Sequence, residues 1–158
     1  MKKYLRWFGI AVVVLFVAVQ FFRPDRTNPS ADQALAVGVQ SGITPPVANL
    51  IKTSCYDCHS NETRWPWYSH VAPVSWLVAD DVKDGRERLN FSDWPRALPE
   101  RAAKRLERMS EELGYKDMPP AKYTIIHADA RLTDDQRKQL IAWADQEAEK
   151  LKAAVAGK

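Results

Sequence analysis

The residues best equipped for chemistry are Cys55-Tyr56-Asp57-Cys58-His59. Two thiols at this spacing can add to two vinyl groups on one edge of a porphyrin. The next residue then turns an imidazole under the ring to reach the iron, and Cys-x-x-Cys-His is the signature of c-type haem attachment. Other uses of the cysteines fit less well. A redox-active pair would accompany a βαβ pattern, which is absent. A structural zinc needs four ligands in closed geometry. With two Cys and three His in the chain, that means Cys55, Cys58 and two of His59, His70 and His127, at no characteristic spacing. A disulfide suits an oxidising compartment but leaves His59 without a role. The expectation is one covalent haem c held through Cys55 and Cys58, with His59 as the proximal iron ligand.

The opposite face of the iron needs its own ligand. Met118 stands before Pro119 and Pro120 in a loop. Pro119 biases it to an extended conformation, and the stiff Pro-Pro pair offers a way to hold a thioether toward the ring. Met109 falls on the apolar stripe of a helix and reads as core. His70 follows His59 too closely to reach the far side without a tight wrap. His127, in the same loop as Met118, is the alternative sixth ligand. The choice has a physical consequence, because methionine ligation raises the reduction potential relative to a second imidazole. Trp65, Trp67, Tyr68, Trp76, Phe91 and Trp94 are candidates for an apolar shell.

The elements that position these residues read as helices. Thr44-Pro45-Pro46 opens one that runs through Val47, Leu50 and Ile51 into Cys55, proline being tolerated in the first turn. Pro73 opens a second, with Val74, Leu77, Val78 and Val82 on one face and Gly85 as its expected stop. A third spans about Pro99 to Leu113, with Ala102, Leu106, Met109 and Leu113 at helical spacing and Gly114 after it. Thr133 and Gln136 form a capping box for a last helix whose stripe is Leu140, Ile141, Ala144, Ala148 and Leu151. Leu89 to Leu98 is irregular, anchored by Phe91 and Trp94, and residues 34–43 read as a weak helix or more linker. No strand pattern is persuasive. The fold class is therefore all-α with long loops, and loops of that length in a compact domain call for an organising element. A buried haem would be one.

At the other end of the chain, Lys2, Lys3 and Arg6 precede an apolar run from Trp7 to Phe22, closed by Arg23. The run is long for a signal peptide's apolar region, about 7–15 residues, and lacks a small-x-small cleavage site. It reads as an N-terminal transmembrane helix or anchor, with the basic residues inside and the rest facing the periplasm. The expected organisation is 1–22 anchor or signal segment, 23–43 linker, 44–152 haem-binding domain and 153–158 tail. The net charge of +3 comes from those three basic residues, so the body is neutral and carries no nucleic-acid footprint.

The stretch from Cys55 to Tyr68, Cys-Tyr-Asp-Cys-His-Ser-Asn-Glu-Thr-Arg-Trp-Pro-Trp-Tyr, resembles the haem-binding domain family of small membrane-anchored bacterial c-type cytochromes. So do Ala72-Pro73-Val74-Ser75-Trp76-Leu77, Gly85-Arg86, Leu89-Asn90-Phe91-Ser92, Trp94, and Met118-Pro119-Pro120 followed by Tyr123 and His127. The resemblance covers roughly residues 45–145. It implies a monohaem, cytochrome c-like domain facing the periplasm and supports His59 and Met118 as the axial pair. The expected function is one-electron transfer at the outer face of the cytoplasmic membrane. The expected partners are a redox protein, the membrane and the haem-maturation machinery. A haem-based sensor or peroxidase-like protein with a displaceable sixth ligand is the alternative. No acid, base or nucleophile constellation stands apart from the haem site. Asp80, Asp81 and Asp84 read as a solvated face, and Arg86 and Arg88 as partners for those aspartates or for haem propionates.

Overall fold

The structure, a computed structural model, describes residues 1–37, 43–94 and 98–157. Helix α1 spans Lys2–Val19, α2 Pro45–Ser54, α3 Tyr56–His59, α4 Val74–Arg88, α5 Pro99–Gly114, α6 Ala121–Thr124 and α7 Asp134–Ala156. Short 3-10 turns lie at Gln33–Leu35, Trp67–His70 and Ala128–Ala130, and there is no strand among the described residues. The weak helix expected over 34–43 falls partly outside them.

The core is a helical hairpin of α5 and α7 closed by α2. Ala102, Leu106 and Leu113 of α5 meet Leu140, Ala144, Ala148 and Leu151 of α7, all buried. Met109 is half-buried against the same cluster, as a core methionine should be. Val47 and Ile51 bring α2 onto the pair, and Phe91 and Trp94 fill the space between them from the irregular segment. Helix α7 starts as its sequence requires. The Thr133 hydroxyl accepts from the Gln136 backbone N–H, and the Gln136 side chain accepts from the Thr133 N–H. This reciprocal pair satisfies two donors that a helix start leaves open.

Expectations change in two places, α4 and the N-terminus. Gly85 does not stop α4, which runs three residues further to Arg88. Leu89 ends it by turning extended, at φ −152° and ψ 122°. The apolar face expected for α4 is also wrong in part. Val82 is buried along with the small residues Ser75 and Gly85, whereas Val74 and Leu77 are exposed. The second change concerns the N-terminus. Helix α1 has 18 residues, about 27 Å at 1.5 Å per residue, against a hydrocarbon core of about 30 Å. Lys2, Lys3 and Arg6 lie inside it. Among the described residues no helix is long and apolar enough to cross a membrane, so the expected spanning helix finds no support. None of its residues is buried.

Residues 20–30 lie against the domain. Gln20 pairs with the Ala72 backbone in both directions, donating to its carbonyl at 3.1 Å and accepting from its N–H at 2.9 Å. The Trp76 indole donates to the Phe22 carbonyl at 2.7 Å, and Arg26 donates to the Ser69 carbonyl. Asn28 donates to the Thr63 carbonyl at 2.9 Å. Leu106 is fully buried between α5 and α7. Leu106→Ala is expected to lower folding stability by about 2–5 kcal/mol, measurable by denaturant unfolding.

Candidate haem-attachment site

Helix α2 delivers Cys55 at its C-terminal end, where φ −124° and ψ −32° break the helix. The chain re-enters a single helical turn, α3, held by the His59 and Cys58 N–H groups donating to the Cys55 carbonyl at 2.9 and 3.2 Å. That one turn brings Cys55, Cys58 and His59 together. Both thiols are free. Burial, reinforced by the neighbouring thiol, pushes Cys55 up to about 12. Burial, with Asp81 and Asp57 nearby, pushes Cys58 up to about 11. Burial thus favours the protonated thiols in the ligand-free chain. Among the described residues no three His, Cys, Asp or Glu side chains gather as a metal site.

His59 is oriented by α4 and its exit. Its Nδ1 lies 2.9 Å from the Gly85 carbonyl and 3.0 Å from the Leu89 carbonyl. Carbonyls only accept, so Nδ1 carries the proton and Nε2 keeps its lone pair. Burial lowers the imidazole pKa, opposed by the two carbonyls, which favours the neutral ligand form. The His59 carbonyl accepts from the Phe91 N–H at 2.7 Å, and the Phe91 ring meets the imidazole edge-on at 6.4 Å. A carbonyl-oriented imidazole with one free nitrogen is the usual arrangement of a metal-ligating histidine.

Gly85 lets this happen. A Cβ there would lie 2.5 Å from the Cys58 carbonyl oxygen and 3.1 Å from its carbon, both backbone atoms. The glycine is needed for close approach of α4 to the attachment turn. Arg86, beside it, is a clamp. It donates to the Ser60 carbonyl at 2.8 Å, the Thr63 hydroxyl at 2.9 Å, the Asn28 side chain at 2.7 Å and the Thr27 carbonyl at 3.2 Å. It does not pair with the aspartates of α4. Ser60 and Thr63 close the turn, donating to the Tyr56 carbonyl at 2.7 Å and the Asp57 carbonyl at 2.8 Å.

The Met118 loop closes over the same turn. Tyr123 of α6 donates to Asp57 at 2.8 Å, and Lys122 pairs with Asp81 of α4 at 2.8 Å. Asp81 is therefore an inter-element partner rather than part of a purely solvated face. Burial, with the Asp57 hydrogen bond next, raises the Tyr123 pKa and keeps the phenol protonated. His127 stacks on Tyr123 at 4.2 Å, and its Nε2 lies 2.6 Å from the Tyr68 hydroxyl. Met118 is half-buried, with its backbone held at both ends: its N–H donates to the Glu112 carbonyl at 3.4 Å, and its own carbonyl accepts from Arg137 at 2.6 Å. His70 is exposed. Of the expected aromatic shell, Phe91 and Trp94 are buried, Trp65 and Tyr68 are half-buried, and Trp67 and Trp76 are exposed.

These residues suit a haem. The donor set pairs a nitrogen with its proton fixed elsewhere and two neutral thiols one turn apart. Leu77 lies one and two turns before Asp81 and Gly85 on α4, the stripe that meets the turn, and is 63% exposed. Ile125 and Ile126, just before His127, are also exposed. Exposed apolar side chains on the elements that flank the turn are of the kind a porphyrin would cover. Two clefts of about 460 and 470 Å³ elsewhere on the surface are lined by neither His59 nor Met118, so the site is defined by its ligands.

The description "haem-binding domain" is that of the family model matching residues 14–146. The chain belongs to that family. It is also similar to the cytochrome c peroxidase Ccp of Escherichia coli (strain K12), at 26% identity over 147 residues. The match covers 89% of this chain and 31% of the relative, so the chain spans about a third of the relative's length. No solved structure matches.

Sequence reading missed the roles of Gly85 and Arg86 as spacer and clamp. Gly85→Ala is expected to reduce haem incorporation and to destabilise the protein by about 1–3 kcal/mol, read by pyridine haemochrome and thermal melts. A second expectation concerns pH. Both thiol pKa values are raised in the fold above the ordinary 9.0, so the folded chain disfavours the thiolates. In the haem-free chain, stability should be full below about pH 9 and fall as pH rises through the folded values. Melts under reducing conditions should show this fall, and a Cys55→Ser/Cys58→Ser variant should lose it.

Proposed function

We propose that this chain is a monohaem c-type cytochrome domain that transfers one electron at a time. Its haem would be attached through Cys55 and Cys58, with His59 proximal and Met118 distal. The observation that carries this reading is the His59 ring: Nδ1 shared between two backbone carbonyls, Nε2 left to ligate, and two free thiols in the same turn. When bound, the haem supplies an iron that alternates between two oxidation states. The protein's part is positional. The Gly85 and Leu89 carbonyls hold the imidazole still, and Arg86, Ser60 and Thr63 keep the attachment turn from opening. A rigid ligand set reorganises little when charge changes, which is what an electron carrier requires.

Met118 is favoured over His127 as distal ligand because the His127 Nε2 is engaged by Tyr68 while its ring stacks on Tyr123. We place the domain at the outer face of the cytoplasmic membrane, where haem-maturation machinery would attach the cofactor and a redox protein would dock. The apolar side chains that α1 exposes, among them Trp7, Phe8, Leu15 and Phe16, support membrane contact, since water disfavours such a surface.

A second reading is a peroxidase-like protein, favoured by the similarity to a cytochrome c peroxidase. It requires Met118 to leave the iron. The tests are spectroscopic, on protein produced with haem-maturation machinery. Pyridine haemochrome should report one covalent haem, and its absence would end the proposal. The isolated protein should be low-spin in both oxidation states and indifferent to carbon monoxide; a high-spin spectrum that shifts with carbon monoxide favours the peroxidase reading. His59→Ala should lose the low-spin spectrum. Met118→Ala should lower the potential and admit carbon monoxide. If Met118→Ala leaves the spectrum unchanged while His127→Ala alters it, the distal ligand is His127.

A further inference from the structure

Arg137 belongs to the first turns of α7, and no sequence motif marks it. One of its terminal nitrogens, Nη1, donates to two carbonyls, Leu113 at 3.0 Å and Met118 at 2.6 Å. Leu113 is in the last turn of α5, so a single guanidinium spans the loop from helix end to Met118. The loop is fastened nearby as well. The Asp117 and Met118 N–H groups donate to the Glu112 carbonyl at 3.0 and 3.4 Å, and Lys116, at a left-handed φ of 64°, pairs with Asp134 at 2.8 Å. Because residue 119 is proline, the Met118 carbonyl is the remaining hydrogen-bonding handle on that peptide. Fixing it fixes the direction in which Met118 leaves the backbone.

The rest of the Arg137 guanidinium lacks a match. Its Nε is buried with no hydrogen-bond partner. Among the described residues, Arg137 makes no ion pair with a carboxylate; its neighbour Asp134 is paired with Lys116. A buried guanidinium donor is strongly driven to find an anion, and its geometry suits a carboxylate. The haem brings two carboxylates of its own, the propionates.

We propose that Arg137 positions the distal side of the haem site: Nη1 sets Met118 through its carbonyl, and Nε donates to a haem propionate. The inference rests on the Met118 reading and adds a residue that the ligand motif does not contain. It links two things otherwise independent, the strength of methionine ligation and the ionisation of a propionate.

The test uses the full chain with its covalent haem, comparing wild type with Arg137→Gln and Arg137→Lys. Two quantities are read: the affinity of the ferric protein for imidazole, which competes with Met118, and the pH dependence of the reduction potential. Wild type should show the long-wavelength charge-transfer band of methionine-ligated ferric haem and a potential nearly flat across mildly acidic to neutral pH. Arg137→Gln should bind imidazole roughly tenfold more tightly, the scale of one charge-assisted hydrogen bond. Its potential should fall with rising pH as a released propionate titrates. Arg137→Lys keeps the charge but not the fork, so it should retain the flat potential while still binding imidazole more tightly. If wild type and Met118→Ala confirm methionine ligation but both Arg137 variants match wild type in imidazole affinity and pH profile, the inference alone fails. If wild type lacks the charge-transfer band and Met118→Ala changes nothing, the Met118 reading fails and takes the inference with it.

Discussion

Everything around the attachment turn depends on one hydrogen-bonded contact, the His59 Nδ1–H shared between the carbonyls of Gly85 and Leu89. Both carbonyls are at the exit of α4: the Gly85 oxygen also accepts from the capping Leu89 N–H at 3.0 Å, and the Leu89 oxygen lies just past the last helical residue. A histidine that satisfies them is aimed by the helix terminus. The contact requires α4 to lie almost on the backbone of Cys58, and only a residue without a Cβ allows that. Leu89 turns extended immediately afterwards, which brings its oxygen to the ring and sends Phe91 back under it. One glycine and one helix end therefore decide where the imidazole points.

The surrounding polar contacts repeat the theme of side chains gripping backbone. Arg86 binds the turn after His59 to residues 27 and 28, Ser60 and Thr63 close the turn on itself, and Tyr123 brings the Met118 loop onto Asp57. The hydrophobic core of α2, α5 and α7 lies to one side and carries no part of the ligand chemistry. It acts as a frame: α2 ends at Cys55, and the α5–α7 pair spans the loop that contains Met118.

The sequence was most legible where local rules act alone. The start of α2 at a proline pair, the α7 capping box and the apolar stripes of α5 and α7 emerged as read, because cap chemistry and 3.6-residue periodicity are local. The haem-binding family was legible from the Cys55-to-Tyr68 stretch, because so many uncommon residues stand there in order. The misreadings share a cause. Gly85 looked like a helix stop because its ordinary use is conformational, whereas here it serves a contact 27 residues away in the chain. Val74 and Leu77 matched a core stripe by spacing, yet α4 turns small residues toward the protein and leaves those two exposed. Arg86 was read as a possible partner of the α4 aspartates, and it grips backbone and side-chain oxygens of other segments instead. Arg137 had no signal at all, since nothing in its neighbours reveals that it will meet a carbonyl nineteen positions earlier. The N-terminal run was apolar enough to suggest a span, but the three cations sit within the helix rather than before it.

The paired contact between Gln20 and Ala72 has a mechanical consequence. A flexible linker would let a tethered domain sample a hemisphere of orientations. Here the reciprocal amide pair, the Trp76 indole on Phe22 and the grip of Arg26 and Arg86 on the following residues join the end of α1 to the site as one lever. The direction in which a cofactor at Cys55 and Cys58 faces is then set by the angle of α1. A group held there would keep a fixed heading relative to α1.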